Sequence, residues 1–274
     1  MRVRIEVEGR CFGVGLERPL DLSIPLDFGG PQPEAFFLPA ASAAAFEAGG
    51  FVGDTRRGGS ANCAVIQMAP HGNGTHTECV GHILDERVSV AEALAPGWVP
   101  ATVVTVAPEA LGASGEGYVA AGRGGDQVVT ARALSRALEA VDGGGGSGWR
   151  RALVVRTGGG EKGSRRYSGA NPAYFTLEAM ALVRSLGVEH LLVELPSVDR
   201  EEDGGALAAH HLFWGVPQGS RALAGPRPGW TITEMINVGA EVLDGQYVLE
   251  LQIPPFVLDA APSRPILYAV KEEA

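Results

Sequence analysis

Residues 152–194 constrain the fold more than any other stretch. Ala152-Leu-Val-Val-Arg156 reads as a strand. Thr176 then caps a helix running through Leu186, with Gly187 as its C-terminal stop. Val188 to Glu194 follows as a second strand. Strand, helix and strand in succession close as a right-handed crossover, which lays at least one pair of strands parallel. The class is therefore α/β, and 274 residues suit a single mixed domain spanning 1–274.

The remaining elements fit round that unit. Val3, Ile5 and Val7 alternate with charges and predict a half-exposed strand. Leu20 to Pro25 predicts another, with Leu22 and Ile24 on one face, ending in the Pro/Gly-rich loop 28–33. Ala40 to Ala48 has a helical composition, and Cys63 to Met68 predicts a short buried strand leading into His71. Val88 to Leu94 suits a turn or two of helix, and Thr102 to Ala107 a strand. Thr130 can cap a helix over 131–141, where Leu134, Leu138 and Val141 share a face. The glycines of 112–126 and 143–148 predict loops. Strands close the chain around 232–236, 247–253 and 266–270, with no internal repeat.

Composition removes several function classes. A net charge of -10 and the lack of any Lys/Arg run argue against nucleic acid, whose phosphates select basic surfaces. No stretch approaches the ~18 apolar residues of a membrane span. The amino terminus alternates apolar and charged residues and lacks the apolar core of a signal peptide. Cys11, Cys63 and Cys79 are odd in number and widely spaced, which suits a reduced, cytoplasmic protein. The expected partner is a small-molecule substrate, with neither nucleic acid nor membrane.

The chemistry concentrates in His71-Gly-Asn-Gly-Thr-His76-Thr-Glu78-Cys-Val-Gly-His82, which holds three of only six histidines. His210 and His211 form a second pair, and His190 stands apart. A neutral imidazole offers a lone pair, so histidines beside a carboxylate suit a divalent cation that lowers the pKa of bound water to roughly 7. His76 and Glu78 project to one side if extended, and His82 joins them if the chain then turns helical. Gly72, Gly74 and Gly81 let the backbone fold closely round an ion. The plainer reading is a Gly-rich turn of polar histidines, and the density of ligand types argues against it.

Elsewhere the two readings stand closer. Glu234 lies in an apolar strand pattern, where a carboxylate is costly unless paired or metal-bound. Asp199, beside Arg200, reads equally as a surface charge. Cys79 reads as a small buried filler rather than a ligand. Phe36, Phe37 and Trp214 can wall an aromatic substrate pocket or simply pack in the core. No phosphate-loop or dinucleotide-binding glycine pattern is present.

The 71–82 stretch resembles the H-x-G-T-H-x-D-x-P-x-H signature of the cyclase family, which includes bacterial kynurenine formamidases and isatin hydrolases. Leu20-Asp-Leu-Ser-Ile-Pro25 with Pro31 and Pro33, Ser197-Val-Asp199, Ala209-His210-His211, Ile232-Thr-Glu234, Gly245-Gln-Tyr247 and Asp259-Ala-Ala-Pro-Ser-Arg264 resemble its further motifs, in order, from 20 to 264. The resemblance implies a swivelling β/β/α domain with a mixed sheet, one or two divalent ions (zinc or manganese), amide hydrolysis and a homodimer or homotetramer. It also implies His71, His76, Glu78, His210 and Glu234 as metal ligands and His82 as the acid/base.

The chain departs from that pattern in three places. His71 and His76 are five apart rather than four, so Gly72 stands at the strict register and His71 must reach the site across a bulge. Glu78 replaces the family's Asp, and the extra methylene favours a single metal. His210 and Glu234 lie 24 apart, about twice the family's interval, with 216–229 as an inserted loop. The expected activity is arylformamidase-like: metal-bound water attacks the amide of a small, aromatic N-formyl or cyclic substrate. A lactone or cyclic ester hydrolase is the first alternative. A metal-supported binding protein without turnover is the second.

Overall fold

A computed structural model describes residues 1–95, 97–141, 146–158, 162–225 and 229–273. Its main sheet has eleven strands. Four of them, Trp98–Thr105, Ala152–Arg156, His190–Val193 and Thr231–Glu234, run parallel side by side. The expected crossover is thus present, with Leu177–Ser185 as its helix. Antiparallel strands extend both edges. Gly245–Glu250, Ile266–Glu272, Arg10–Gly15 and Arg2–Val7 follow on one side, with Leu20–Asp21 against Ile266–Glu272. His76–Cys79 and Ala260–Pro262 follow on the other.

Residues 152–155 and 191–193 of the central strands are apolar because both faces of the sheet are buried there. Leu153 and Val155 face a core built with Leu134 and Leu138 of the Ala131–Val141 helix, Met180 and Val183 of Leu177–Ser185, and Phe213 of Ala208–Trp214. Ala152 and Val154 face the opposite core, which Leu22, Ile236, Val238 and Val242 close from connecting segments. The result is one α/β domain with a large mixed sheet and peripheral helices. The caps form as expected: Ala133 N–H donates to Thr130 Oγ1 and Ala179 N–H to Thr176 Oγ1, while Gly187 turns at φ 73°.

Three local expectations are corrected. Residues 40–48 are not helical; Ser42–Ala45 and Glu47–Ala48 are strands. Without an apolar stripe to dock, a helix there has no packing to stabilise it, whereas Ala64–Gln67 pairs with Ser42–Ala45 residue for residue. That partner strand is exposed rather than buried, with Val65 and Ile66 more than half accessible. Its apolar run belongs to an arm that leaves the core. The strand at Leu20 stops after Asp21: Asp21 takes the Ser23 N–H, and the Ile24 N–H goes to Thr75 Oγ1. Leu22 and Ile24 are nevertheless buried. The glycines at 143–145 of the expected linker lie outside the described residues. Among the described residues no helix is long and apolar enough to cross a membrane.

Candidate metal centre

The offset between His71 and His76 has a simple physical origin. Pro70–Asn73 forms a single helical turn, with proline at a position that needs no N–H. A Cβ at Gly72 would lie 2.6 Å from the Leu38 side chain and 3.0 Å from Ala35 O, so no side chain fits there. Gly74 then turns at φ 146°, open only to glycine. His71 therefore reaches the cluster from the helical turn, and the buried Asn73 anchors that turn through Ala69 N–H and Pro39 O.

His76–Cys79 is extended, which puts His76 and Glu78 on one face, both fully buried. Val80–Ile83 turns immediately afterwards and returns His82 to the same place. A Cβ at Gly81 would come within 2.3 Å of Val88 O, so this turn also requires glycine. Strand register assembles the distant groups. Glu234 lies directly across from His76 on one side. Ala260 pairs with Glu78 on the other, which places Asp259 at the rim. His210 arrives from the Ala208–Trp214 helix.

The five candidate ligands and His82 do converge. Glu78 is the hub. His71 Nδ1 is 3.1 Å and His82 Nε2 3.9 Å from Glu78 Oε2, and His210 Nε2 is 2.8 Å from Oε1. Glu234 lies 3.5 Å from His76 Nε2 and 3.7 Å from His210 Nε2. Two ligand triads share Glu78, one with His71 and His76 and one with His82 and His210.

The donor set fits a cation on its own evidence. His76 Nδ1–H donates to Gly74 O at 3.0 Å, which leaves the lone pair on Nε2. That Nε2 is buried with no hydrogen-bond partner, and Glu78 Oε2 is held only by ion-pair contacts, His71 Nδ1 at 3.1 Å and His82 Nε2 at 3.9 Å. An imidazole lone pair without a donor, buried beside two carboxylates, is expensive as a structural device and suited to a cation.

Burial alone would lower the affinity of His71 for a proton, but its bonds to Asp259 and Glu78 prevail and hold its pKa up at about 10. His210 is likewise raised by Glu78 and Asp199 against its burial. Burial opposes ionisation of Glu78 as well, yet His82 and His210 keep its carboxyl well below the usual range.

Three residues without an assigned role complete the site. Asp259 Oδ2 lies 2.9 Å from His71 Nε2 and 3.2 Å from His82 Nδ1, so one carboxylate orients both rings. Asp199 is buried, not at the surface. It takes His210 Nδ1–H at 2.5 Å and the Ala209 and His210 backbone N–H groups. Tyr118 O–H donates to Asp199 at 2.5 Å. Asp259 and Asp199 both sit in motifs visible in the sequence; Tyr118, in a glycine-rich loop, carried no signal.

The aromatic residues stand elsewhere. Trp214 is buried on the core side of His210, ring centroids 5.4 Å apart, with its indole N–H on Trp230 O. Phe36 packs with Ile24, Ala35, Tyr167 and Met235, and Phe37 is exposed. None of the three lines the cavity beside His82. Cys79 is the buried filler expected, its thiol turned to Val88 O and its pKa pushed up by burial to about 11.

Residues 20–200 match the cyclase family model. The chain belongs to the cyclase family. Solved structures share the fold. Isatin hydrolase A from Labrenzia aggregata aligns at 18% identity and TM-score 0.61, over 93% of this chain and 94% of its own. Isatin hydrolase A from Ralstonia solanacearum aligns at 15% and 0.59, over 92% of each. A predicted metal-dependent hydrolase from Bacillus stearothermophilus aligns at 14% and 0.53, over 92% of this chain and 98% of that one. No curated protein matches.

Proposed function

We propose that this cyclase-family chain is a metal-dependent hydrolase that cleaves the C–N bond of a small cyclic or N-formyl amide. The observation that carries the reading is the buried set of ligand atoms gathered round Glu78, with His76 Nε2 left without a hydrogen bond. His71, His76, Glu78, His210 and Glu234 would hold zinc or manganese, with Glu78 shared wherever two ions bind. When bound, the cation would activate water and polarise the scissile carbonyl. His82 would move the proton. Asp259 engages its Nδ1, so Nε2 is the nitrogen left to face the cluster. Asp199 fixes His210 with its proton on Nδ1 and its lone pair on Nε2. The structural neighbours named isatin hydrolases favour a cyclic amide over an open one, because isatin is a lactam.

The test pairs elemental analysis of the metal-loaded protein with hydrolysis of N-formylaniline, isatin and a lactone. Stoichiometric metal with amide turnover that disappears in His76→Ala supports the reading. Turnover of the lactone alone moves the activity to esters, and bound metal without any turnover leaves a binding protein.

We infer further that the chain self-associates through its arm. The Ser42–Ala45 and Ala64–Gln67 hairpin exposes Phe46, Val65 and Ile66, and a two-stranded ribbon with no core is marginal alone in water. A second copy covering it would make the homodimer or homotetramer. Light scattering of Val65→Asp/Ile66→Asp should then report a smaller particle than the parent; an unchanged mass rejects this surface.

A further inference from the structure

The inserted loop after His210 builds a cavity that the proposed chemistry does not use. A space of about 350 Å³ opens beside His82 and is lined by Asp85, His211, Gln218, Ser220 and Arg221, among others. His211 is only 8% exposed. Its Nδ1 lies 3.2 Å from Val216 O, so that nitrogen must carry the proton, and Nε2 presents a lone pair in the neutral ring. No described residue gives Nε2 a hydrogen bond. The ring also borders a second cavity of about 430 Å³, where Arg184 spends a donor on Leu212 O.

The neighbouring polar groups have the same bias. Gln218 donates its Nε2–H to Ala206 O at 2.6 Å, leaving its carbonyl oxygen as an acceptor. Ser220 O–H donates to Ala222 O. Asp85 adds a carboxylate, with Arg221 3.6 Å away. His211, Gln218 and Asp85 keep acceptors open to the cavity, while the free guanidinium donors of Arg221 lie at its exposed rim. A flat aryl ring would leave the His211 lone pair unmatched, at the cost of a buried unsatisfied group. We propose that this cavity is the subsite for the non-reacting part of the substrate, and that His211 and Gln218 select a hydroxyl or N–H donor there. The proposal rests on the metal-hydrolase reading and narrows its substrate class to polyhydroxylated or N–H-bearing amides.

Two hydroxamic acids of equal chain length test it on metal-loaded protein by titration calorimetry. Hexanohydroxamic acid offers only the metal-binding group, and gluconohydroxamic acid adds a hydroxyl on every further carbon. The expected result is about fivefold to tenfold tighter binding of the hydroxylated compound, the worth of one to two hydrogen bonds. That preference should vanish in His211→Phe and persist in part in His211→Gln, with hexanohydroxamate affinity unchanged. Gln218→Leu, at an exposed position, should reduce it and carries the comparison where the buried substitution impairs folding. Equal binding of the two compounds by the parent protein, or an undiminished preference in His211→Phe, overturns the subsite while leaving the metal reading intact. Failure of hexanohydroxamate itself to bind removes the metal reading, and the subsite falls with it.

Discussion

Asp199→Asn isolates the support of His210 from its ligand atom. In the parent, Asp199 Oδ2 receives His210 N–H at 3.1 Å and His210 Nδ1–H at 2.5 Å, while Oδ1 receives Ala209 N–H at 2.7 Å and Tyr118 O–H at 2.5 Å. An asparagine turns one of these oxygens into a donor. If the amide oxygen stays with His210, the amide nitrogen faces Ala209 N–H, a fully buried group that loses its acceptor. Tyr118 can rotate to accept; the backbone cannot. The cost is about 1–3 kcal/mol, or a fall of roughly 3–10 °C in melting temperature for a chain of this size. If the amide flips, His210 must move its proton to Nε2, the nitrogen 2.8 Å from Glu78, and that lone pair is lost. Loss of such outer support costs about 10–100-fold in metal affinity. The variant should therefore be less stable when metal-free and bind metal more weakly. Thermal denaturation and competition with a chelating dye read the two effects. A melting point within 1 °C of the parent, with metal affinity within about twofold, would refute the assignment of Asp199 as the group that fixes the ring.

His82→Gln should keep the metal content and lower kcat by about 10²–10⁴, the usual worth of a general acid/base; loss of metal together with activity would make His82 a ligand instead. Chelation should lower the melting temperature, because saturation at a hundred times Kd is worth about 2.7 kcal/mol; an unchanged melting point would contradict a structural role for the ion. His190 predicts a separate pH dependence outside the ligand cluster. It is buried, hydrogen-bonded to Thr231 Oγ1, and burial pushes its pKa down to about 4 from 6.5. Between those values the unfolded chain binds the extra proton. Stability is thus full above about pH 6.5 and falls by about 3 kcal/mol as pH drops toward 4. Denaturant titrations of His190→Gln should lose that slope, and a slope equal to the parent's would disprove the assignment.

What could be read from the sequence follows what is locally encoded. The central parallel pair was legible because burial on both faces leaves an uninterrupted apolar run, as in residues 152–155. His76, Glu78 and His82 were legible because a strand followed by a turn converts spacing directly into a shared face. The arm was not. Ala43 and Ile66 face each other across a pairing that no local periodicity records, and an apolar run does not say whether the core or a partner covers it. Tyr118 was hidden for the same reason: it is placed by Asp199, a neighbour 81 positions away.

Glu78 shows why the centre must be built from several strands at once. Removing a carboxylate from water costs several kcal/mol unless opposite charge and hydrogen bonds replace the solvent. Its own segment supplies only His71 and His82 at the rim. The adjoining strand end supplies Glu234, which adds negative charge rather than removing it, and takes one of its own hydrogen bonds from Val198 N–H. His210 is the single fully buried imidazole in contact with Glu78, and it in turn leans on Asp199, a further carboxylate. Buried acids thus accumulate faster than fixed positive charge: Glu78, Glu234 and Asp199 meet four imidazoles and no lysine or arginine among the described contacts. A buried cluster with that balance favours added positive charge, which a divalent cation would supply. The extra methylene of a glutamate carries its carboxylate oxygens away from the sheet backbone to where His71 arrives from its helical turn. The offset of His71 and the longer side chain at position 78 are therefore one accommodation rather than two defects.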